Sequence, residues 1–292
     1  MKILVLFNPA SHKALKWPDI VGLVREKIEQ HPDTDLMWVE THRRGEIEEI
    51  ARSSVGEGFD IIVGMGGDGT VNELVNALCC TDQVMGIIPF GITNVFALEA
   101  GIPINPIDAV DVIFEGRKQE FDLGDANGRK FMLMLGAGLD ARAVHLYRPE
   151  LKVYLNQYAY IASGVKAFFT YRQKPLEVEI VDTNEHLVGY QVIVANCGYY
   201  GGRRKIAPDA VPTDGYLNLV VYKKRGIFPT FKYFIATVIE QHHRLGDIEF
   251  RKVKLVRIQG DAPYHIDSEP LGHLPVDVRV VERAVTVKVP RI

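Results

Sequence analysis

The sequence predicts an α/β fold in two domains, an N-terminal Rossmann-like parallel sheet with helices on both faces and a C-terminal antiparallel β-sandwich. Three observations predict it. Strand-like and helix-like runs alternate from residue 2 to about residue 112, the rhythm of a mostly parallel sheet. After about residue 121 the rhythm changes to paired β-segments joined by short turns. The length, 292 residues, exceeds a typical single domain and suffices for two cores.

In the first half, strands are expected at residues 3–7, 36–40, 59–63 and 86–90, and helices at 18–30 and 45–54. A further helix opens at Thr70, where Val71, Leu74, Val75 and Leu78 keep the i, i+3, i+4, i+7 spacing of an amphipathic helix. A short helix follows Asn94. In the second half, EFDLGD and FMLML flank the turn residues Asn127 and Gly128. LEVEIVD, YQVIVAN, YLNLVVYKK, FRKVKLVRIQ, DVRVVE and AVTVKV follow, with the apolar alternation of antiparallel strands. Residues 154–171 and 228–242 interrupt them with helical character. The boundary falls near Asp122, giving domains 1–122 and 123–292, and the last strand can return to the first domain.

Composition narrows the class. Hydrophobic residues make up 47% and charged residues 24% of the chain, ordinary for a soluble globular protein. A net charge of −3 argues against a nucleic-acid binder, which shows a strong basic excess. Cys79, Cys80 and Cys197 form neither a disulfide framework nor a metal spacing, which points to a reducing cytoplasm. The start, MKILVLFNPA, has too short an apolar run for a signal peptide. No window supplies the about 20 apolar residues of a membrane span, and contact with a membrane surface stays open.

The most informative segment is GGDGTVN, Gly66 to Asn72. It places a carboxylate in a glycine turn between a strand and a helix. Thr70 and Glu73 have the form of a capping box, so the helix is expected to start at Thr70 with its N–H groups facing the turn. Such an N-terminus attracts phosphate, and glycine lets backbone amides approach it. Asp68 beside a phosphate is repulsive unless a divalent cation stands between them or the carboxylate takes a proton from a nucleophile. Phosphoryl chemistry follows either way. Gly64, Gly66 and Gly69 also satisfy G-x-G-x-x-G, yet the next strand, GIIPF, lacks the acidic residue a dinucleotide fold wants, and no G-K-[ST] follows for a P-loop.

Other segments join this one. Gly91, Ile92, Thr93 and Asn94 form a second strand-to-helix junction on the same sheet, so a nucleotide could be gripped from two sides. Asn8 and Pro9 end the first strand, and Lys13 follows on a loop at the same carboxyl edge, where it could meet a phosphate. YYGGRRKIAPDAVPTDGYL is a polar loop of a length that is usually functional or disordered. Its Asp209 and Asp214 offer oxygen ligands, and Arg203, Arg204 and Lys205 offer charge to phosphate. HIDSEP sets Asp267 and Glu269 two apart in an extended segment, which would aim both carboxylates to one side. One could serve as base while the other orients a metal or a hydroxyl. His242 and His243 are adjacent and read as helix surface rather than a metal pair.

Taken in order, NPASHK, GGDGTVNELVNAL, GIIPFGITNVFALEAGIP, FDLGDANGRKF, GAGLDA, YYGGRRKIAPDAVPTDGYLNLVV and IDSEP run over nearly the whole length. In these segments the chain resembles the diacylglycerol kinase catalytic family, which also holds bacterial lipid kinases and sphingosine kinases. The resemblance implies a fold like that of NAD kinase, with MgATP in a cleft between an α/β nucleotide-binding domain and a β-sandwich that takes the lipid. It implies that Gly66, Gly67, Asp68, Gly69 and Thr70, with Val71 and Asn72 of the same motif, hold the nucleotide, Asp68 being linked to magnesium. Asn8, Lys13, Thr41, Gly91, Thr93 and Asn94 would join them. Glu269 matches the acceptor of the lipid hydroxyl proton, with Asp267 beside it. Asp214 and the carbonyls of Val211 and Tyr216 match a second, structural magnesium site, and Asp122 and Asp140 match motif aspartates of no assigned role. The chain departs from the pattern at His12, where the loop has glycine, at Ile92, which removes a threonine hydroxyl, and at Ser268, which puts a Cβ where D-G-E has glycine.

The activity this implies is transfer of the γ-phosphate of ATP to a hydroxyl of diacylglycerol or a related lipid, in the cytoplasm or peripherally at the inner membrane surface. Tyr154, Tyr158, Tyr160, Phe168, Phe169 and residues 227–233 beside Lys223, Lys224 and Arg225 are candidates for an apolar entrance. Two rivals stay open: an NAD kinase or other soluble-hydroxyl kinase, and a nucleotide-binding protein of weak catalysis. An exposed β-edge could pair two copies into a homodimer.

Overall fold

The computed structural model describes residues 1–146, 164 and 166–291. Tyr154, Tyr158 and Tyr160, and most of the helical stretch expected at 154–171, lie outside the described residues. The chain divides into two units. One is Met1–Leu123 with Tyr199–Arg203 and Val281–Ile292, and the other is Gly124–Gly198 with Arg204–Val280.

In the first unit, β1 (Lys2–Phe7), β2 (Asp35–Glu40), β3 (Ile61–Gly66) and β4 (Val84–Pro89) pair in parallel in the order β2-β1-β3-β4. β1, β3 and β4 are apolar runs buried almost throughout, because helices cover both faces of a parallel sheet. β2, at the edge, is largely open to solvent. The helices are α1 (His12–Lys16), α2 (Asp19–Glu29), α3 (Glu46–Ser54), α4 (Asp68–Leu78), α5 (Val95–Glu99) and α6 (Pro106–Glu115). The chain leaves β1 for β2 on one side and returns to β3 on the other, so the carboxyl ends of β1 and β3 flank a topological switch point, where open α/β sheets bind ligands.

Two helices of this unit were not expected. α1 is five residues long and follows β1 directly. α6 carries a readable start, since the Asn105 side chain accepts the Ile107 amide at 3.1 Å and Pro106 takes the first turn. β5 (Arg117–Ala126) follows. The expected segments DVRVVE and AVTVKV are one strand, bent at Arg283, which has φ 48°. The Asp122 carboxylate accepts the Arg283 amide at 2.8 Å, so this buried aspartate fixes the bend. Beyond it Thr286 and Val287 pair in parallel with Val84 and Met85 of β4.

The second unit is antiparallel. After β6 (Arg129–Phe131) its strands are β7 (Met134–Gly138), β8 (Leu176–Ile180), β9 (Glu185–Gly189) and β10 (Gln191–Ala195). The long loop carries two-residue strands, β11 (Tyr199–Tyr200) in the stretch assigned to the first unit and β12 (Arg204–Lys205) in the second. β13 (Leu217–Tyr222), β14 (Ile248–Val253), β15 (Leu255–Gly260), β16 (Pro263–Ile266), β17 (Glu269–His273) and β18 (Val276–Val289) complete the set. One sheet runs β14-β13-β10-β7-β16-β17, and the first residues of β18 pair with β15, then β8, then β9. Val192, Val194, Leu217, Leu219 and Val221 of the first share one core with Val178, Ile180, Val256, Ile258, Val276 and Val278 of the second. Each such side chain contributes about 1.5–3 kcal/mol by leaving water, and the i, i+2 spacing of these residues makes the sandwich.

Two helices stand beside these sheets, α7 (Leu139–Leu146), which was not expected, and α8 (Ile227–Val238). α8 ends short of the expected residue 242, because Glu240 turns into the left-handed region at φ 55°. His242 is therefore not on a helix surface. It is fully buried in a 3-10 turn, His242–Arg244, with Nε2 2.8 Å from the Ile206 carbonyl oxygen.

Candidate active site

β3 runs on through Gly66, so strand rather than turn holds Gly64 and Gly66, and α4 opens at Asp68 instead of Thr70. The N-cap is Gly67, in extended backbone with no side-chain cap. No capping box forms. Thr70 Oγ1 is buried without a partner, and Glu73 Oε1 accepts the Gly45 amide at 2.9 Å. The cause is steric. A Cβ on Gly66 would lie 2.1 Å from Thr70 Oγ1, so the bare glycine lets Thr70 pack beneath the strand. A Cβ on Gly91 would lie 2.7 Å from the Cα of Gly67, so here too glycine permits the two junctions to meet backbone to backbone. The Phe90 amide donates to the Gly66 carbonyl at 2.7 Å and seals them together.

The second junction is folded by Asn94, buried and at φ 46°, whose Oδ1 accepts the Gly91 amide at 2.8 Å while Nδ2 donates to the Gly91 carbonyl at 3.0 Å. This clasp brings Thr93 to Asp68. Thr93 Oγ1 donates to Asp68 Oδ2 at 2.9 Å, and the Phe96 amide approaches Oδ1 at 3.4 Å. Burial pushes the Asp68 carboxyl above the usual carboxylate range, against the pull of these donors. The residue nonetheless keeps partial exposure. Thr93 supplies a hydroxyl beside Asp68, and Ile92 is 39% exposed.

The neighbouring residues are placed as follows. The Asn8 amide donates to the Met65 carbonyl at 3.0 Å, and its Oδ1 accepts the Ala10 amide at 3.0 Å. Thr41 is buried with its hydroxyl 3.1 Å from the Phe7 carbonyl. Lys13 lies on α1 rather than on a loop. Its Nζ donates to the Pro89 carbonyl at 3.1 Å and to the Ile104 carbonyl, and burial lowers its pKa. His12 begins α1 with its ring edge-on to Trp17, and its backbone is not left-handed, so glycine is not required there. Gly69 is exposed, whereas Val71 and Asn72 are turned inward, 5% and 2% exposed.

In the second unit, Ile266 pairs with Glu269, which leaves Asp267 and Ser268 as a two-residue turn with φ 47° and 65°. Two left-handed residues are the signature of a type I′ hairpin, so the segment is not extended and the two carboxylates do not share a side by alternation. Asp267 is buried. Its Oδ2 accepts the Met132 amide at 3.0 Å, and its Oδ1 accepts those of Leu133 and Met134 at 3.0 and 2.9 Å. That carboxylate staples the chain in front of β7. Glu269 opens β17, half-buried.

Sequence reasoning passed over His265, whose Nε2 lies 2.7 Å from Asp140 Oδ2 with both side chains buried and Nδ1 without a partner. Gly136 makes room for the pair, since a Cβ there would stand 2.4 Å from His265 Nε2. Nothing local links residues 125 apart in the chain.

The two places for magnesium differ. Mg²⁺ takes one or two carboxylates together with phosphate oxygens and water, and a single part-exposed carboxylate beside helix amides, Asp68, fits that role. The second donor set does not fit a cation. Asp214 Oδ2 is 2.5 Å from Lys252 Nζ, Oδ1 accepts the Tyr216 amide at 3.1 Å, and the Val211 carbonyl accepts the amides of Thr213 and Asp214 at 2.8 and 3.2 Å. Lysine supplies the loop's positive charge. Arg204 is also engaged, donating to the Val238 carbonyl at the end of α8.

The sequence profile described as "Diacylglycerol kinase catalytic domain" matches residues 2–126, and that described as "YegS C-terminal NAD kinase beta sandwich-like domain" matches residues 134–289. A protein named diacylglycerol kinase from Bacillus subtilis (strain 168) is 29% identical over 294 residues, covering 98% of this chain and 96% of that one. A Staphylococcus aureus (strain JH9) protein of the same name is 26% identical over 296 residues, covering 98% and 91%. A crystal structure of a diacylglycerol kinase from Bacillus anthracis str. Sterne superposes with a TM-score of 0.76 at 24% identity, over 99% of this chain and 96% of the other, and shares the fold.

Proposed function

The chain belongs to the diacylglycerol kinase catalytic family and is a kinase, and from that premise we propose that it transfers the γ-phosphate of ATP, taken as its magnesium complex, to a hydroxyl of diacylglycerol or a related lipid. The observation that carries this reading is the setting of Asp68. A carboxylate that burial pushes up in spite of its donors, at the switch-point edge of a parallel sheet, gains most from a cation that also holds phosphate.

Each residue has a task. The amides at the start of α4 bind phosphate oxygens. Lys13 spends two of its N–H donors on the Pro89 and Ile104 carbonyls and keeps one for a phosphate. Asp68 would hold magnesium, which would supply positive charge to offset that building on the transferring group. Glu269 takes the proton of the lipid hydroxyl as its oxygen bonds to the γ-phosphorus and the bond to the β-phosphate oxygen breaks, releasing ADP. Asp267 holds the turn that presents Glu269 and stays out of the proton transfer.

The test is transfer of labelled γ-phosphate from MgATP to a lipid extract supplemented with diacylglycerol, with NAD as a parallel acceptor. Label in lipid that falls by a factor on the order of 10² or more in Asp68→Asn and in Glu269→Gln supports the reading. Label in NAD, or none with ATP still bound, would replace it with a soluble acceptor or a nucleotide-binding role.

A further inference from the structure

α8 carries its apolar stripe outward. Ile227, Phe228, Phe231, Phe234 and Ile235 repeat at helical spacing and are 56, 88, 57, 62 and 41% exposed, while Tyr233 and Ala236 are the residues turned inward. A helix of a globular unit ordinarily buries its large residues, so this face lacks a cover among the described residues. Phe169, 71% exposed, belongs to the segment tied to α8 by Gln173, whose Nε2 donates to Thr230 Oγ1 at 3.0 Å and whose Oε1 accepts the Gly226 amide at 2.8 Å.

The rim is basic. Lys223, Lys224 and Arg225 lead into α8 and Lys232 lies within it, and α8 itself contains no acidic residue. Against these stand Asp247, paired with Lys232 and Lys224, and Glu249, paired with Lys223, which leaves the rim positive. Phenylalanines surrounded by cations match a bilayer surface, where rings enter the acyl boundary and ammonium and guanidinium groups meet lipid phosphates. A second copy on the same face would oppose like charges.

We propose that α8 and its basic rim dock the protein on an anionic lipid surface, where its substrate resides. The proposal deepens the lipid-kinase reading and rests on it only for the identity of that substrate. The test is sedimentation of the full chain, without nucleotide, with vesicles of phosphatidylcholine and with vesicles containing about 30% phosphatidylglycerol. Wild type pellets with the anionic vesicles and is released by salt. The double substitution Phe228→Ser with Phe231→Ser weakens binding by roughly tenfold or more, and Lys224→Gln with Arg225→Gln does so by about tenfold on anionic vesicles only. Unchanged thermal melts show that both variants fold. Equal binding of all three proteins would overturn the proposal. So would a wild type that ignores vesicles and self-associates through α8, seen as a dimer that either double variant returns to monomer. Because binding is read without turnover, failure of phosphotransfer would sink the kinase reading alone.

Discussion

Two aspartates in this molecule stand at tight junctions within short acidic motifs, and their surroundings are opposite. Asp68 is approached by the Thr93 hydroxyl and by the amides of Asn94, Val95 and Phe96, yet burial outweighs them and pushes its carboxyl up. Asp267 receives three amides at 2.9 to 3.0 Å. A carboxylate saturated by backbone donors stabilises a fold. One whose burial outweighs its donors costs the fold something as an anion and gains from a cation or a proton. D-G-T and D-S-E look alike on paper, and what separates them in the fold is that burial lifts Asp68 in spite of its donors while three close amides hold Asp267.

Exchanging charge for amide should split them. Asp68→Asn should lower phosphotransfer by a factor on the order of 10²–10³ without destabilising the protein. Burial raises the folded-state pKa of Asp68, so the folded chain holds that proton more tightly than the unfolded chain does. Ionisation therefore costs no stability below the ordinary carboxylate range. The cost grows as pH rises toward the raised value and is fully present above it. The stability of Asp68→Asn relative to wild type should improve across that same window, measured by urea denaturation at several pH values. A variant destabilised at neutral pH contradicts this account.

Asp267→Asn should do the reverse. It exchanges a charged acceptor of three buried amides for a neutral side chain with one carbonyl oxygen, at a cost on the order of 3 kcal/mol, seen as a lower urea midpoint. Loss of activity should follow loss of the folded fraction. A variant as stable as wild type but inactive would return Asp267 to the chemistry.

Ser268 offers a smaller effect on the same turn. At φ 65° its Cβ is strained, and glycine would relieve the strain while adding entropy to the unfolded chain. Ser268→Gly should therefore gain about 0.5 kcal/mol net. A lower melting temperature for the glycine variant would show that Ser268 makes a contact worth more than its strain.

Period and burial made the fold class legible. β1, β3 and β4 are buried apolar runs, while the second unit alternates at i, i+2. The end of β3 was not, because glycine normally punctuates a strand, whereas Gly64 and Gly66 sit inside this one to clear Leu74 and Thr70. Glycine and asparagine at the strand ends marked the two junctions of the first unit. The contacts that assign work to each carboxylate were hidden, since they join distant residues: Thr93 to Asp68, Met132 to Asp267, His265 to Asp140. A family motif names the aspartate, and only the fold says what it touches.

The least expected effect lies at the loop of Asp214. If Lys252 supplies that loop's cation, wild type should melt at the same temperature in chelator as in millimolar magnesium. The pair is partly exposed, with 48% and 24% of the two side chains open to water, so its worth is screened. Lys252→Met should cost only about 0.2–1 kcal/mol. With the ammonium gone, Asp214 and the Val211 and Tyr216 carbonyls become an oxygen set without a charge partner from Lys252. Magnesium should then raise the melting temperature of the variant but not of wild type. A wild type that chelator destabilises would mean that a divalent cation displaces Lys252 and that the second aspartate site behaves as Asp68 does.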